Sequence, residues 1–435
     1  MNWRKHIADN TTTAEKAVEN IASGNRVVTG HAAGSPECLI SAMVARASSL
    51  RNVEISHMVT LNDSPYCRPD YVENFHFNGL YLDKATRVAV AEGRADYTPI
   101  FFSQIPVLLR DESFPVDVAL LTISPPDDQG RVSLGVSVDY TMQAALEAKT
   151  TIAVVNKHMP YITGGALLDV MEIDRFVFSD EPLLELTPPT IGAVEKAIGN
   201  NIAQLIKDGD CLQLGIGAIP DAVLNALGDK RDLGVHSEMI SNGVMELVEK
   251  GVINCARKTL HEGKIVITFA MGSKAFYEWM NNHPMIEAYP VDYVNDPRVI
   301  GRNDNLVSVN SALSVDLFGQ VAADSVGPKQ FSGVGGQLDF VRGARFSKGG
   351  YNVIAMPATA VKGTVSRICA CFDKGQPVTT TRNDVDYIVT EYGVAALWGK
   401  TNVKRAEALV SIAAPEFREG LARQARDAYG WRCNL

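Results

Sequence analysis

The sequence predicts an α/β protein built from two related open α/β domains in tandem, each with a largely parallel sheet and flanking helices. Three observations lead to this prediction. The chain has 435 residues, and single hydrophobic cores rarely grow past roughly 250–300 residues. Short apolar segments alternate with helix-like stretches, which favours crossover connections between parallel strands. One helix–strand–turn–helix unit occurs twice.

The repeated unit begins near residue 15 and again near residue 195. In the first copy, a helix at 15–24 is followed by a strand at 25–29, a glycine turn at 30–36 and a second helix at 37–43. In the second copy, the same elements cover residues 195–209, 210–214, 215–220 and 221–227. Each turn contains two glycines and ends at a proline. Two tandem domains with a ligand cleft between them explain the pattern. A chance likeness of two βα units is the alternative.

Further apolar segments are typical of parallel strands. They are residues 117–123, 151–155, 265–268, 352–355 and 386–390. The proline-containing stretch 181–189 separates the two predicted domains, 1–185 and 186–435, and residues 284–297 are a second candidate boundary. The second domain carries the candidate catalytic residue.

The composition is that of an ordinary globular enzyme, with 46% hydrophobic and 21% charged residues. The net charge of −9 provides no basic surface for nucleic acid. No apolar run is long enough for a membrane span. Seven scattered cysteines and the lack of a signal-like start predict reduced thiols in the cytoplasm. The spacing of Cys369 and Cys371 does not fit a zinc ribbon, and the histidines show no metal-ligand spacing, so we expect no metal.

The turn of the second copy consists of Gly215, Ile216, Gly217, Ala218 and Ile219. Its glycines follow a strand and open a helix, so its backbone N–H groups are placed to bind an anion. A dinucleotide fingerprint is one interpretation, because an acid follows about twenty residues later. However, Pro220 stands where that fingerprint has its third glycine. Proline instead suits the first turn of a helix.

Glu238 is the candidate nucleophile. It ends a short apolar segment, where open α/β sheets place their ligands. Capping the next helix, or pairing with His236, is the structural alternative. Three features favour a catalytic role: the amides of residues 215–217, the turn 241–243, and the pair Gly335-Gly336 in the segment 332–340. Bare glycines let the backbone approach a ligand closely, although a plain turn would also explain that pair.

The chain resembles the acetyl-CoA hydrolase/transferase family, specifically its 4-hydroxybutyrate and butyrate CoA-transferase branch. The resemblance covers nearly the whole chain. It rests on residues 124–130 with 133–135, 215–224, 236–239, 294–297, 309–313, 335–340 and 389–394. Two departures stand out: Ser237 where threonine is frequent, and Trp398 where an arginine is expected. The second puts a possible anion contact in doubt.

The resemblance implies that Glu238 is the nucleophile and that residues 215–219 and Gly335, Gly336 and Gln337 bind coenzyme A and the thioester oxygen. His31, from the pairing of the two domains, and Asn310, from the matching segment 309–313, are expected in the acyl pocket. Coenzyme A is expected as a substrate, with no permanently bound cofactor. We expect a homodimer or higher homo-oligomer with small-molecule partners only.

The predicted reaction moves coenzyme A between a short-chain acyl-CoA and a free carboxylate by a ping-pong mechanism through a glutamyl-CoA thioester. An acetyl-CoA hydrolase using the same glutamate, or a non-catalytic coenzyme A or nucleotide-binding protein, is the alternative. The sequence does not decide whether the acid substrate is acetate, butyrate, 4-hydroxybutyrate or itaconate.

Overall fold

The computed structural model describes residues 2–111 and 113–433. The chain folds into two compact units. Unit 1 comprises Met1–Thr187 and Ile265–Val294, and unit 2 comprises Pro188–Lys264 and Asn295–Leu435. This division differs from the domains expected from the sequence, 1–185 and 186–435, because residues 265–294 return to unit 1. The reason is strand pairing: Ile265–Ile267 pairs with Ile286–Ala288, which pairs with Thr163–Gly164.

Unit 1 contains a seven-stranded parallel sheet. Its strands are β1 (Arg26–Thr29), β2 (Val53–Ser56), β3 (Phe75–Gly79), β4 (Ala95–Tyr97), β5 (Val118–Ile123), β6 (Thr150–Asn156) and β7 (Arg175–Ser179). They lie in the order β7-β6-β5-β1-β2-β3-β4. All six residues of β5 are buried, as expected for a parallel strand covered on both faces.

Unit 2 contains a six-stranded sheet. Its strands are β8 (Cys211–Leu214), β9 (Gly234–Val235), β10 (Leu306–Ser311), β11 (Tyr351–Ala355), β12 (Tyr387–Thr390) and β13 (Gly393–Ala396). They lie in the order β9-β8-β10-β11-β12-β13. Only the β12–β13 pair among these strands is antiparallel.

Five strands stand in the same order in both sheets. Strands β1, β2, β5, β6 and β7 of unit 1 correspond in chain order and in position to β8, β9, β10, β11 and β12 of unit 2. The strand order reverses between β1 and β5 in one sheet and between β8 and β10 in the other. Such switch points are where open α/β sheets bind ligands, at the carboxyl ends of the strands. The predicted fold class is confirmed.

Helices cover both units. They are Trp3–Asn10, Ala14–Ala17, Glu37–Ala45, Lys84–Ala91, Ile105–Arg110, Thr141–Glu147, Ala193–Ala203, Ala218–Asn225, Asn242–Glu249, Lys274–Met280, Val291–Val294, Pro297–Ile300, Gln337–Phe346, Asn402–Ser411 and Pro415–Tyr429. Within the described part of the chain, no helix has both the length and the apolar character needed to cross a membrane.

The remaining strands are short. They are Arg131–Ser133, Thr163–Gly164, Leu167–Asp169, Met239–Ile240, Ile265–Ile267, Phe269–Ala270, Ile286–Ala288, Ser314–Asp316, Val321–Ala322, Ser325–Val326, Lys329–Gln330, Thr359–Ala360, Val365–Ser366 and Ile368–Cys369. Several of them lie at the carboxyl ends of β10 and β11, next to the site described below.

Candidate active site

Glu238 lies in unit 2, three residues beyond the end of β9 and directly before the strand Met239–Ile240. Its neighbours His236 and Ser237 are buried, whereas Glu238 itself is only partly buried. The hydroxyl of Ser237 donates a 3.1 Å hydrogen bond to the carbonyl oxygen of Leu214, the last residue of β8. The segment is thereby tied to the adjacent strand, and the carboxylate is presented at the carboxyl edge of the sheet.

Two donors bind the Glu238 carboxylate. Nδ2 of Asn295 donates a 3.0 Å hydrogen bond to Oε2 of Glu238, and the backbone N–H of Gly336 donates a second one. A Cβ atom at position 336 would lie 1.8 Å from Oε2 of Glu238 and 2.3 Å from Nδ2 of Asn295. Glycine is therefore required at this position, because only a bare backbone can approach the carboxylate so closely.

The environment of Glu238 changes its acidity. Burial raises the pKa of Glu238 to about 7, from an ordinary value of 4.5, while the hydrogen bonds from Asn295 and Gly336 lower it in part. A carboxylate with such a pKa is more basic than an ordinary glutamate. A strongly raised pKa is also a recognised mark of a reactive group.

The predicted glycine turn lies beside this segment. Gly217 has φ +112° and precedes the helix Ala218–Asn225, so the turn needs a residue without a side chain there. Ala218 and Ile219 form the first turn of that helix, where N–H groups have no partner within the helix. The side chain of Ile216 is 40% exposed. Gly215 and Ser237 line one small apolar cavity, so the turn and the Glu238 segment are neighbours.

The second predicted loop precedes the helix Gln337–Phe346. Gly335 has φ +55°, and Gly336 is the residue directly before the helix. The side chain of Gln337 is buried, and its amide donates a 3.4 Å hydrogen bond to Oγ1 of Thr380. Gly336 is therefore brought to Glu238, whereas the Gln337 side chain is directed to a neighbouring loop.

Asn310 belongs to a polar cluster at the switch point of unit 2. Its Nδ2 donates to Oε1 of Gln213 at 3.0 Å and to Oγ of Ser308 at 2.9 Å. The Ser308 hydroxyl donates to the same Gln213 oxygen at 2.7 Å. These three side chains lie on the adjacent strands β8 and β10. The amide of Asn310 is thus fixed in orientation near the end of its strand.

His31 lies in unit 1, just beyond β1 at that sheet's switch point. Its Nδ1 is 3.1 Å from Oδ2 of Asp139, and its ring packs against Phe102, Tyr140 and Phe269. The Asp139 carboxylate fixes the proton on Nδ1, which leaves Nε2 as an acceptor in the neutral ring. Nε2 is buried and has no hydrogen-bond partner among residues 2–111 and 113–433. Such an atom is suited to a ligand or a water.

Trp398 does not lie at this site. Its exposed ring stacks on the guanidinium of Arg345, with 3.2 Å from Cζ to the ring centroid. Arg345 forms an ion pair with Asp386, which directly precedes β12. This pair lies at the amino edge of the sheet, opposite the edge that carries Glu238. The anion contact left in doubt by Trp398 is therefore not part of the described site.

Two site residues carry no distinguishing signal in the sequence. Asn295 stands in the matching segment 294–297 without a pattern that indicates its role, and Asp139 lies outside the matching segments. Their partners lie 57 and 108 residues away along the chain. The described ranges contain no group of three or more His, Cys, Asp or Glu residues placed to hold a metal ion.

Comparison with known proteins identifies the family. The acetyl-CoA hydrolase/transferase N-terminal domain matches residues 1–186, and the acetyl-CoA hydrolase/transferase C-terminal domain matches residues 272–425. The chain belongs to the acetyl-CoA hydrolase/transferase family, as its sequence motifs predicted.

Individual relatives are similar to this chain over nearly its whole length. The sequence is 55% identical over 424 residues to the 4-hydroxybutyrate coenzyme A transferase of Clostridium kluyveri, covering 98% of this chain and 99% of that protein. The crystal structure of 4-hydroxybutyrate CoA-transferase from Porphyromonas gingivalis is similar at a TM-score of 0.85 and 42% identity, over 98% of this chain and 100% of that one. The structure of RipA from Yersinia pestis is similar at a TM-score of 0.94 and 38% identity, over 99% and 100%.

Proposed function

We propose that this protein is a CoA-transferase that moves coenzyme A between a short-chain acyl-CoA and a free carboxylate, with Glu238 as the nucleophile. The observation that carries the proposal is the partly buried Glu238 carboxylate, which is bound by Asn295 and by the bare backbone of Gly336. Membership of the family and the full-length similarity to a named 4-hydroxybutyrate coenzyme A transferase support the reaction type.

The reaction begins when an oxygen of Glu238 attacks the acyl-CoA carbonyl carbon. The C–S bond breaks, which leaves a mixed anhydride on the glutamate and a coenzyme A thiolate. The thiolate then attacks the glutamyl carbonyl carbon and displaces the first carboxylate. The product is a glutamyl-CoA thioester.

The second half repeats these steps in reverse order. The incoming carboxylate attacks the glutamyl thioester, expels the thiolate and forms a new anhydride. The thiolate attacks the new acyl carbonyl, which releases the new acyl-CoA and restores the Glu238 carboxylate. Every bond broken is matched by one formed, and no proton or water is consumed.

Stabilisation of the developing negative oxygen must contribute much of the rate, because a carboxylate is a weak nucleophile. The N–H groups of residues 215–219 and of Gly335 and Gly336 are the proposed donors, and one such donor is typically worth about 3 kcal/mol. Holding the two reactants in line contributes roughly 7–11 kcal/mol in favourable cases. The raised pKa of Glu238 makes its ionised form more nucleophilic than an ordinary glutamate.

For the acyl group we propose contacts with His31 and Asn310. The buried acceptor Nε2 of His31 suits a hydroxyl on a short acid, and the fixed amide of Asn310 supplies a polar contact near the carboxyl edge of β10. The relatives named for 4-hydroxybutyrate favour that acid, with acetate and butyrate as further candidates. A panel of acids at fixed acetyl-CoA measures this preference.

The compartment, the oligomeric state and the lack of a bound cofactor are also proposals. All seven cysteines are free thiols, which supports a reducing compartment such as the cytoplasm. We propose that the protein acts as a homodimer or higher homo-oligomer without a permanently bound cofactor. Light scattering at several concentrations and absorbance of the purified protein test these two points.

Trapping of the thioester tests the mechanism. Incubation with acetyl-CoA followed by borohydride should inactivate the protein, because borohydride reduces an enzyme thioester. Borohydride without acetyl-CoA is the control, and Glu238→Ala should have no activity to lose. Transfer activity that survives Glu238→Ala refutes the assignment. Release of free coenzyme A without transfer identifies a hydrolase, and binding without either reaction identifies a non-catalytic protein.

A further inference from the structure

Unit 1 contains a cavity that the proposed reaction does not use. It has a volume of about 220 Å³, and its lining comes from the loop 157–160, from Pro182 and Leu183, and from one side of the helix Lys274–Met280. The loop directly follows β6, and Pro182 lies three residues after β7. The cavity is therefore on the carboxyl edge of the sheet, where open α/β sheets bind ligands. It lies at the outer end of the order β7-β6-β5-β1, apart from the switch point between β5 and β1.

Two walls of this cavity belong to segments through which the chain passes between the units. Residues 181–187 lead out of unit 1, and residues 265–294 enter unit 1 after Lys264 and leave it before Asn295. We call it the junction cavity, because these two crossing segments meet there. Asn295, the first residue after the second segment, is a donor to the Glu238 carboxylate. The second crossing segment therefore leads directly into the proposed active site.

Hydrogen bonds join the two crossing segments beside the junction cavity. The hydroxyl of Tyr277 donates to the carbonyl oxygen of Leu184 at 2.9 Å. The backbone N–H of Lys274 donates to Oε2 of Glu185 at 2.8 Å. One segment thus holds the other at two places along the helix Lys274–Met280.

The loop 157–160 is held by residues on both of its sides. Before the loop, Nδ2 of Asn156 donates to the carbonyl oxygen of Glu181 at 2.8 Å. After the loop, the backbone N–H of Tyr161 donates to Oδ1 of Asn281 at 2.8 Å. All three walls of the junction cavity are therefore tied to one another, and the space between them is a formed site.

Two amines supply positive charge to the junction cavity. Nζ of Lys157 is 2.9 Å from Oδ2 of Asp180, and Nζ of Lys274 is 3.6 Å from Oε1 of Glu278. All four side chains are more than half exposed. Exposed ion pairs contribute only about 0–1 kcal/mol, so both amines can exchange these partners for an anion in the cavity. Glu278 is the one carboxylate among the described lining residues.

The type of cation favours phosphate over carboxylate. Arginine pairs with a flat carboxylate through two parallel hydrogen bonds, whereas lysine binds phosphate as a point charge. The lining found among the described residues includes Lys157 and Lys274 but no arginine. Met159, Pro182 and Leu183 add apolar surface, which suits a short carbon chain. The volume is that of about seven molecules of liquid water, so the ligand must be smaller than a nucleotide.

We infer that the junction cavity binds a small phosphate monoester with a chain of three or four carbon atoms. The phosphate contacts the amines of Lys157 and Lys274, and the carbon chain packs against Met159 and Leu183. Such a ligand fastens the two crossing segments to each other. Its binding is independent of the proposed transfer reaction, in which neither amine takes part.

Calorimetry with glycerol 3-phosphate tests this site in the full-length protein. The protein should bind the probe saturably, should bind inorganic phosphate at least threefold more weakly, and should not bind glycerol, because both the charge and the carbon chain contribute. Equal or tighter binding of inorganic phosphate refutes the ester, and no binding of either refutes the site. Saturating coenzyme A should leave the affinity for glycerol 3-phosphate unchanged. Displacement by coenzyme A overturns the inference, because the phosphate position would then belong to a substrate.

Substitutions in the lining test the assigned contacts. Lys157→Met and Lys274→Met remove a charge and nearly keep the side-chain length, and each should weaken binding of glycerol 3-phosphate at least fivefold. Glu278→Gln removes the carboxylate of the lining and should strengthen binding at least twofold. Lys149→Met is the matched control, because Lys149 directly precedes β6, whereas Lys157 directly follows it, and Lys149 also pairs with a surface aspartate. Equal weakening in Lys149→Met shows non-specific attraction and overturns the inference.

Hydrogen exchange locates the ligand without relying on activity. Glycerol 3-phosphate should slow amide exchange in residues 157–161, 182–187 and 272–281, and it should leave residues 335–340 unchanged. Protection confined to other segments overturns the inference, as does a tenfold rise of KM for acetyl-CoA in Lys157→Met, which would make the amine part of a substrate site. A protein that binds the probe as described but transfers no coenzyme A supports the junction cavity and refutes the proposed function alone.

Discussion

Gly336 and Glu238 are in such close contact that a Cβ atom on the glycine would lie 1.8 Å from the carboxylate oxygen Oε2. The backbone of Gly336 has φ −93° and ψ 3°, which other residues can adopt. Space beside the carboxylate, and not backbone conformation, therefore demands glycine. The contact joins a loop before a helix to a strand-end segment nearly a hundred positions earlier, and it positions the proposed nucleophile.

Gly336→Ala should abolish most of the transfer activity. The added methyl group must displace Glu238 or Asn295, and small misplacements of reacting groups cost about a hundredfold in rate. The measurement is kcat for coenzyme A exchange, together with thermal unfolding to show that the variant folds. Gly420→Ala is the matched control, because Gly420 lies within the helix Pro415–Tyr429 with open space around it. That control should keep full activity.

Activity should rise with pH through neutrality. The pKa of Glu238 is about 7, and only the ionised carboxylate attacks, so kcat/KM should be half-maximal near that pH. Asn295→Ala removes a donor that favours the ionised form, so the Glu238 pKa rises and the profile moves to higher pH. The measurement is kcat/KM from pH 5.5 to 9. An unmoved or acid-shifted profile in Asn295→Ala would contradict the assigned hydrogen bond.

Replacing Glu238 should stabilise the protein, in a pH-dependent way. The folded-state pKa lies above the ordinary value of 4.5, so the folded protein binds the proton more tightly than the unfolded chain. Stability is therefore lost as the pH rises from about 4.5 to about 7. Glu238→Gln does not lose stability in this way, because glutamine does not ionise. Its free energy of unfolding should exceed that of the unmodified protein by up to about 3 kcal/mol at pH 8.

Urea unfolding at pH 8 and at pH 5 measures this difference. The gain should fall to less than about 1 kcal/mol at pH 5, because only the interval between pH 4.5 and pH 5 then contributes to it. Glu249→Gln replaces an exposed carboxylate at the end of the helix Asn242–Glu249, and it should show no gain at either pH. A gain of equal size at both pH values would point to packing, not to ionisation, as its source.

His31→Leu should change the preference between acids. It removes the buried acceptor Nε2 and keeps an apolar side chain among the surrounding rings. The ratio of kcat/KM for 4-hydroxybutyrate to that for butyrate should fall at least tenfold, because a hydroxyl would be left without a partner. Phe102→Leu alters the same surroundings without removing a polar atom, and both acids should be affected alike. An unchanged ratio in His31→Leu excludes this contact.

The elements that the sequence predicted best are those defined by short patterns. The strand–glycine–helix units, the buried parallel strands and the place of Glu238 after a short strand each appear within a few residues, and the family motifs mark the two glycine loops. The structure adds the contacts between segments that are far apart in the sequence. Asn295 is not distinctive in its own segment, and only folding brings it to a carboxylate 57 positions away. The same holds for Asp139 and His31, which are 108 positions apart.

Local sequence patterns also could not predict that residues 265–294 belong to unit 1. The strand Thr163–Gly164 is two residues long and exposed, so nothing in its composition indicates a partner. Its pairing with Ile286–Ala288 depends on register within a completed sheet. Prolines indicated the expected boundary near residue 185. No comparable pattern in the sequence indicates that the segment 265–294 pairs with unit 1.

This return has a consequence for biosynthesis. When the first 187 residues have left the ribosome, unit 1 still lacks Ile265–Val294, including the two strands that extend from Thr163–Gly164. It cannot be completed until residues 265–294 have left the ribosome, and Pro188–Lys264 of the other unit leaves before them. Unit 1 is therefore completed only after part of unit 2 has been synthesised, and a gene cut at residue 187 would yield a fragment that lacks a segment of unit 1.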